Sequence, residues 1–214
     1  MIVDYTGFVT ADENMRYDAQ LFQERLNGDL GSVFRSYIWQ QPGMTYPEKR
    51  PFEGPFLGFD HASRSTGGGL VFHSPGDLVL SCIYPCQKGE RGWVKRVIEG
   101  VSVGIDGCLA DLGVVLEPTL EPDLVLKDIN FCLSYPNPYE RRFKSHKVVA
   151  IAARRSRDWL MLQAVIHLQA SATFFSLLPM RFQSYFTQGI NVDLDPLALQ
   201  ERLSLYVKRG AFSF

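Results

Sequence analysis

Arg64-Ser65-Thr66-Gly67-Gly68-Gly69-Leu70-Val71-Phe72-His73 is the stretch on which the reading of this chain turns. Three consecutive glycines let the backbone take φ/ψ values closed to other residues and let another molecule approach the main chain closely. Their N–H groups can form an anion-binding concavity, with Arg64 beside it as a charge-assisted donor; a plain hairpin turn is the alternative. A Walker loop is excluded, because no Gly-Lys-Ser/Thr follows and the downstream residues read as a strand.

Working outward, the pattern is one of alternating short strands and a few helices. Residues 12–26 predict a helix with Asp12 as N-cap and Met15, Ala19, Leu21 and Leu26 on or near one face. Ser32 to Trp39 reads as a strand, and 41–58, with Pro42, Pro47, Pro51 and Pro55, as loop. Leu70–His73, the turn Ser74-Pro75-Gly76-Asp77 and a strand from Leu78 to Tyr84 predict an antiparallel hairpin. Residues 90–113 read as one long helix with Trp93, Val97, Val101, Ile105 and Leu109 at spacings of four. Gly100, Gly104 and Gly107 within it are expected to serve close packing onto a sheet. Strands are expected at 122–126, from Lys147, and over 160–169, the last two forming a hairpin around 154–158. A helix at 196–207 opens at Asp195-Pro196. The expected fold is α+β, a mixed and largely antiparallel sheet packed against helices.

Composition narrows the partners. The 214 residues are 46% hydrophobic and 21% charged with a net charge of -1, which suits one globular domain over 1–214. Near-neutrality removes the broad electrostatic argument for nucleic acid. The longest apolar runs, such as Val148–Ala153, are of strand length and too short to span a bilayer. With no secretory signal and four cysteines too sparse for a disulfide scaffold, a cytoplasmic, reduced and monomeric protein is expected. Cys82-x-x-x-Cys86 lacks a second ligand pair, so no metal site is expected. Ser156, His61 and His167 read as hairpin and core residues rather than members of a triad.

The decapeptide, read as Arg-x-Ser/Thr-Gly-Gly-Gly-x-Val-x-His, resembles the signature of the lipoate-protein ligase A and octanoyltransferase family. Its neighbours agree in order: Glu13-Asn14-Met15-Arg16-Tyr17-Asp18 resembles the family's N-terminal helix, 34–42 its first core strand, and Gly76–Ser81 the strand after the histidine. Further on, Pro136-Asn137-Pro138-Tyr139-Glu140 leads to Lys147, which matches the family's lysine. The resemblance implies a class II synthetase and biotin/lipoate ligase-like fold, with no C-terminal accessory domain in this length. It implies that Arg64, Thr66, Gly67, Gly68, Gly69 and His73 bind the acyl substrate or its adenylate, and that Lys147 holds the acyl carbonyl oxygen.

Two mechanisms stay open at this point. A ligase uses ATP with Mg²⁺ and lipoate or octanoate; an ATP-independent transferase carries the acyl group as a thioester on a cysteine, here Cys132, with Lys147 or His146 lowering its pKa. Cys132 as a buried small hydrophobe is the plain alternative, and a non-catalytic acyl-binding paralogue is the reading from a different class. Ala150-Ile151-Ala152-Ala153 and Ala164-Val165-Ile166 depart from the family's Gly-Ser-Ala-Gln and His-Gly-Ser segments, which motivates that last reading. Implied partners are apo lipoyl domains of 2-oxoacid dehydrogenases, the glycine-cleavage H protein and acyl carrier protein. The basic residues between 141 and 157 form either a solvated face or a docking surface for such an acidic carrier.

Overall fold

Thr10, rather than Asp12, opens the first helix. In the computed structural model, which describes residues 1–28, 31–50, 58–86, 92–119, 132, 137–144, 146–183 and 194–214, Thr10 caps α1 (Ala11–Leu26). Its Oγ1 accepts from the Glu13 N–H while the Glu13 carboxylate accepts from the Thr10 N–H. This reciprocal box satisfies two N–H groups, which Asp12, already inside the first turn, cannot match. The helix buries Ala11, Asn14, Met15, Asp18, Leu21, Phe22 and Arg25, a stripe that sets three polar side chains among four apolar ones.

Most remaining elements belong to one seven-stranded sheet in the order β1-β2-β6-β10-β9-β8-β7. The strands are β1 (Ile2–Asp4), β2 (Val33–Ile38), β6 (Leu78–Pro85), β7 (Glu117–Pro118), β8 (Arg141–Phe143), β9 (His146–Ser156) and β10 (Trp159–Ile166). Only β1 and β2 run parallel; every other neighbour is antiparallel. The β9–β10 hairpin matches the expected one and is in register from Trp159↔Ser156 to Ile166↔Val149. The strand expected at 122–126 lies outside the described residues.

Two expectations change here. Residues 43–47, read as loop, form β3 (Gly43–Pro47), which with β4 (Asp60–Arg64) and β5 (Val71–His73) makes a separate sheet in the order β4-β3-β5. Pro42 and Pro47 bracket the strand without interrupting its pairing. The predicted hairpin between 70–73 and 78–84 does not form: β5 pairs with β3. Both edges of β6 are taken, by β2 and β10, so no edge remains for β5.

The large sheet is covered on both faces, which is why β2 and β6 are buried almost throughout and lack a hydrophobic/polar alternation. One face carries α2 (Trp93–Ala110) and α5 (Pro196–Lys208), with Val97, Val101, Ile105, Leu199 and Leu203 against Phe34, Leu80, Leu162 and Ile166. The α2 glycines do not meet the sheet as expected. A Cβ on Gly100 would fall 2.0 Å from Phe214, on Gly104 2.8 Å from Phe212 and on Gly107 3.0 Å from Tyr206. They form a groove for the C-terminal aromatics.

The second face carries α1, the small sheet and the short helices α3 (Ala172–Leu177) and α4 (Met180–Gln183). Its core joins Met15, Tyr37, Trp39, Phe72, Val79, Ala150, Val165 and Phe174. This face holds Arg35, Gln163, Arg64 and His73 and the two cavities described below.

Candidate active site

The glycine loop connects β4 to β5 and is shaped from within by Arg64. Buried at the end of β4, Arg64 donates from Nη2 to the carbonyls of Gly67 at 2.7 Å and Gly69 at 2.5 Å, and from Nη1 to Thr45 O at 2.9 Å. Drawing those two carbonyls inward turns the N–H groups of Gly68 and Leu70 to the opposite side, since C=O and N–H of a trans peptide point apart. Gly68 has φ +91°, and a Cβ there would sit 3.3 Å from the Arg64 guanidinium, so both conformation and space favour glycine. The loop is tied to the large sheet by Gly67 N–H donating to Ala153 O at 3.3 Å. Burial lowers Arg64 to about 10, which leaves it cationic at neutral pH. Its charge is directed to the loop more than outward as sequence reading expected, although Nε is without a partner among the described residues.

Thr66 faces the sheet. Its hydroxyl donates to Gln163 Oε1 at 2.6 Å, and Gln163 Nε2 donates to Asp18 Oδ2 at 2.7 Å. Asp18 pairs with Arg35 at 2.6 Å, and Arg35 donates on to Asn14 and to Thr6 O. Arg35, Ser81, Gln163 and Ala152 are cross-strand partners in one row. A polar row thus crosses the sheet beneath α1, running from the helix to the glycine loop. Burial raises Asp18 against the lowering pull of Arg35. The Arg35 guanidinium also lies 3.9 Å from the Tyr37 ring centroid, a cation–π contact. Sequence reading quoted Asn14 and Asp18 only as pattern matches and missed Arg35 and Gln163, because their partners lie on distant strands.

His73 ends β5 with its ring stacked on Trp39 at 4.1 Å and Nε2 at 2.9 Å from Thr45 Oγ1. Burial, then His167 and Arg64, hold its pKa well below the ordinary histidine value, so it is neutral. Its Nδ1 has no partner among the described residues.

Lys147, at the start of β9, is buried. Its Nζ donates to Glu140 Oε2 at 2.6 Å and to the carbonyl of Cys132 at 2.9 Å. Cys132 is tied to the glycine loop by its N–H donating to Leu70 O at 2.9 Å. The structure therefore brings Cys132, Lys147 and the 64–73 loop together, with Glu140 as an additional member. Glu140 stands in the quoted Pro-Asn-Pro-Tyr-Glu run, but only its place before the lysine was read.

The Cys132 thiol is not activated as expected. Burial first, then the Glu140 carboxylate, push it up to about 12; Lys147 and Arg64 pull it down but do not outweigh them. The charges that act on it are those of Glu140, Lys147 and Arg64, while alternation puts the His146 side chain on the other face of β9 from Lys147. The basic segment is likewise not a continuous surface. Arg141 pairs with Asp106 at 2.7 Å, Lys147 with Glu140 and Arg154 with Glu48 at 3.2 Å, while Arg157 donates to Leu26 O.

Two cavities meet at Cys132. The first, a narrow slot of ≈ 30 Å³, is lined by Met15, Val71, Val79, Ala150, Ala152, Ala164 and Val165 with Thr45, Arg64, His73 and Gln163 as its polar groups. The second, ≈ 660 Å³ and open, is lined by Lys49, Arg50, Gly67–Gly69, Asn137, Pro138, Glu140 and Ile151 among others. The basic, glycine-lined hollow suits an anionic head at the loop, while the apolar slot beside it, with room for about one water, must widen before it admits the tail of a chain. Among the described residues no group of three or more His, Cys, Asp or Glu converges as metal ligands, and no helix is long and apolar enough to cross a membrane.

Fold and site together define an α+β enzyme of the class II synthetase and biotin/lipoate ligase type. The lipoyl protein ligase A/B catalytic domain matches residues 10–191, and the chain belongs to that family. Solved structures share the fold. One is of a T. acidophilum protein assigned as a lipoate protein ligase, with bound lipoic acid, 16% identical over 97% of this chain and 84% of that one, TM-score 0.73. A lipoate-protein ligase A bound with ATP has TM-score 0.74 at 16% identity over 97% and 84%. A bi-partite lipoate protein ligase studied with its E2 lipoyl domain, from Thermoplasma acidophilum, has TM-score 0.73 at 14% identity over 97% and 82%. No curated protein sequence matches this chain.

Proposed function

We propose that this protein is a lipoate-protein ligase A-like enzyme of protein lipoylation, joining a lipoyl or octanoyl group to a carrier-domain lysine through an acyl-adenylate, with residues 1–214 acting as one catalytic domain. The observation that carries this reading is the placement of Lys147, buried directly behind Cys132, whose carbonyl it holds and which lines both the apolar and the glycine-lined cavity. The acyl tail enters the slot beside Val71, Val79, Ala150 and Val165, which widens to admit it. ATP lies in the wider cavity, whose Gly67–Gly69 lining and Lys49 and Arg50 suit phosphates. Mg²⁺ would enter with those phosphates and neutralise their charge.

In the first step the substrate carboxylate attacks the α-phosphate and pyrophosphate leaves. In the second the carrier lysine's neutral amine attacks the acyl carbonyl carbon. The new C–N bond forms as the C–O bond to AMP breaks, and the amine proton departs with solvent. Negative charge develops on the carbonyl oxygen, and Lys147 is the donor assigned to it. Thr66, Gln163 and Asp18 hold the loop against the sheet. The partner class is an apo lipoyl domain, with the H protein and acyl carrier protein as further candidates.

Incubation of the full chain with lipoate, ATP, Mg²⁺ and an apo lipoyl domain, read by intact mass, tests the reading. Lipoylation that requires ATP is expected. Acylation from an octanoylated carrier without ATP would instead establish the transferase. Its nucleophile, Cys132, lines both cavities, but as a neutral buried thiol it is poorly prepared to attack. Acyl binding without turnover under either regime would leave the non-catalytic paralogue.

A further inference from the structure

Glu140 is an acid inside a site whose chemistry, as read so far, does not use one. Its side chain and that of Lys147 are 2% and 3% exposed, and burying a carboxylate is costly unless its oxygens are satisfied. Here both are. Oε1 accepts from the backbone N–H of Ile151 at 2.9 Å and faces the Cys132 thiol at 3.6 Å; Oε2 accepts from Lys147 Nζ at 2.6 Å. The contact with Ile151 explains the placement. Strand β8 pairs with β9 only as far as Val149, leaving the Ile151 N–H beyond its end, and the carboxylate fills the position of the absent strand carbonyl. Glu140 is thereby bolted to the strand that carries Lys147, and it grips the ammonium from a fixed point.

We infer that Glu140 is the positioning residue for Lys147, fixing the direction and the charge of its ammonium behind Cys132, the residue shared by the two cavities. The inference rests on the role proposed above for Lys147. Glu140 touches neither reacting atom; it acts through the lysine. A long lysine side chain has much rotamer entropy to lose, and an oxyanion donor is effective only when already aimed. The Cys132 carbonyl alone is neutral and holds the ammonium by one hydrogen bond. Glu140 adds the counter-charge that makes a buried ammonium tolerable. The groups facing the carboxylate are Lys147 of β9 and the Cys132 thiol, with Arg64 of β4 acting on that thiol from beyond. Burial raises the Glu140 pKa above the usual carboxylate value, against the pull of Lys147. On acidification Glu140 therefore protonates before an ordinary glutamate and releases its grip.

The test compares wild type, E140Q, E140D and K147M in steady-state lipoylation of an apo lipoyl domain with lipoate and ATP between pH 5 and 8, each variant checked for folding by thermal melt. E140Q is expected to lose about 30- to 100-fold in kcat with the lipoate KM within about twofold, because the acyl slot is untouched. Protonation of the carrier amine lowers kcat toward acid pH in every variant; wild type should show a further fall beyond it, the acid limb of Glu140, which E140Q should lack. E140D, which keeps the charge at shorter reach, should recover part of the rate and regain the acid limb. A role in strand pairing alone would lower melting temperature without altering the pH profile. The inference is overturned by E140Q with wild-type kcat, by an unchanged acid limb in E140Q, or, should E140Q not fold, by E140D with no acid limb. Wild-type turnover in K147M overturns the underlying reading of Lys147; loss in K147M with a wild-type profile in E140Q overturns only the role of Glu140.

Discussion

Two glycine triplets lie on opposite faces of the central sheet, and they do opposite things. Gly100, Gly104 and Gly107 of α2 open a groove that Phe214, Phe212 and Tyr206 fill from within the same chain. Gly67, Gly68 and Gly69 line a cavity that stays open. On the first face missing side chains are replaced by aromatic rings, and the surroundings are apolar. On the second the loop is held by Arg64, Thr66 and a polar row that ends in a buried Asp18–Arg35 pair. Absent side chains alone do not distinguish a packing surface from a binding surface; what occupies the space does.

That contrast can be broken at several points. Lys147→Met should lower lipoylation turnover by about 10²- to 10³-fold, the scale for removing an oxyanion donor, with lipoate still bound as read by calorimetry; undiminished turnover would remove chemistry from the polar face. Asp18→Ala leaves the Arg35 guanidinium buried without its carboxylate and should cost about 3–5 kcal/mol of stability in urea unfolding. A loss below about 1 kcal/mol would mean the row is dispensable to the fold.

Smaller effects sharpen the other side. Gly104→Ala drives a Cβ into the buried Phe212 ring and should cost about 1–3 kcal/mol, while the specific activity of the folded protein stays unchanged. A loss of activity at equal folded fraction would show that the two faces are coupled. Cys132→Ala should alter turnover by no more than about threefold if the thiol is a packed small side chain. In the same vein, with its pKa pushed up to about 12, Cys132 should resist iodoacetamide at pH 8 in native protein and react once unfolded. Rapid native labelling would reopen the thioester route.

The two faces also differed in how much of them the sequence disclosed. α1, α2, α5 and the β9–β10 hairpin were legible because helical spacing, Asp195-Pro196 and the 154–158 turn are local signals. The glycine loop stands out as a continuous motif, and Lys147 stands out as a candidate from the run 136–140 that precedes it. What escaped was set by partners distant in sequence. β5 was assigned to the wrong neighbour because nothing in 70–84 shows that β2 and β10 occupy both edges of β6. Gln163 looks like a lone polar residue in a strand until it is seen between Thr66 and Asp18. Cys132 was read from proximity in sequence to Lys147, whereas its environment is set by burial and by Glu140. The α2 glycines announced close packing, but the packing partner lay some hundred residues away at the chain's far end.

The β9–β10 hairpin carries a consequence for how this site can vary. Lys147, Ala150, Ile151, Ala152 and Ala153 all make their contributions from β9, whether as a donor, as slot wall, as the bolt for Glu140 or as the tether for Gly67. One strand thus serves as the common origin from which every part of the site is measured. Its only long pairing is the run with β10, and a shift of a single residue reverses every side chain. Such a slip would carry Lys147 to the opposite face while leaving the fold's outline intact. Insertions are therefore more tolerable in the glycine loop's flanks than in the turn at Arg157–Asp158, although that turn lies far from any reacting atom.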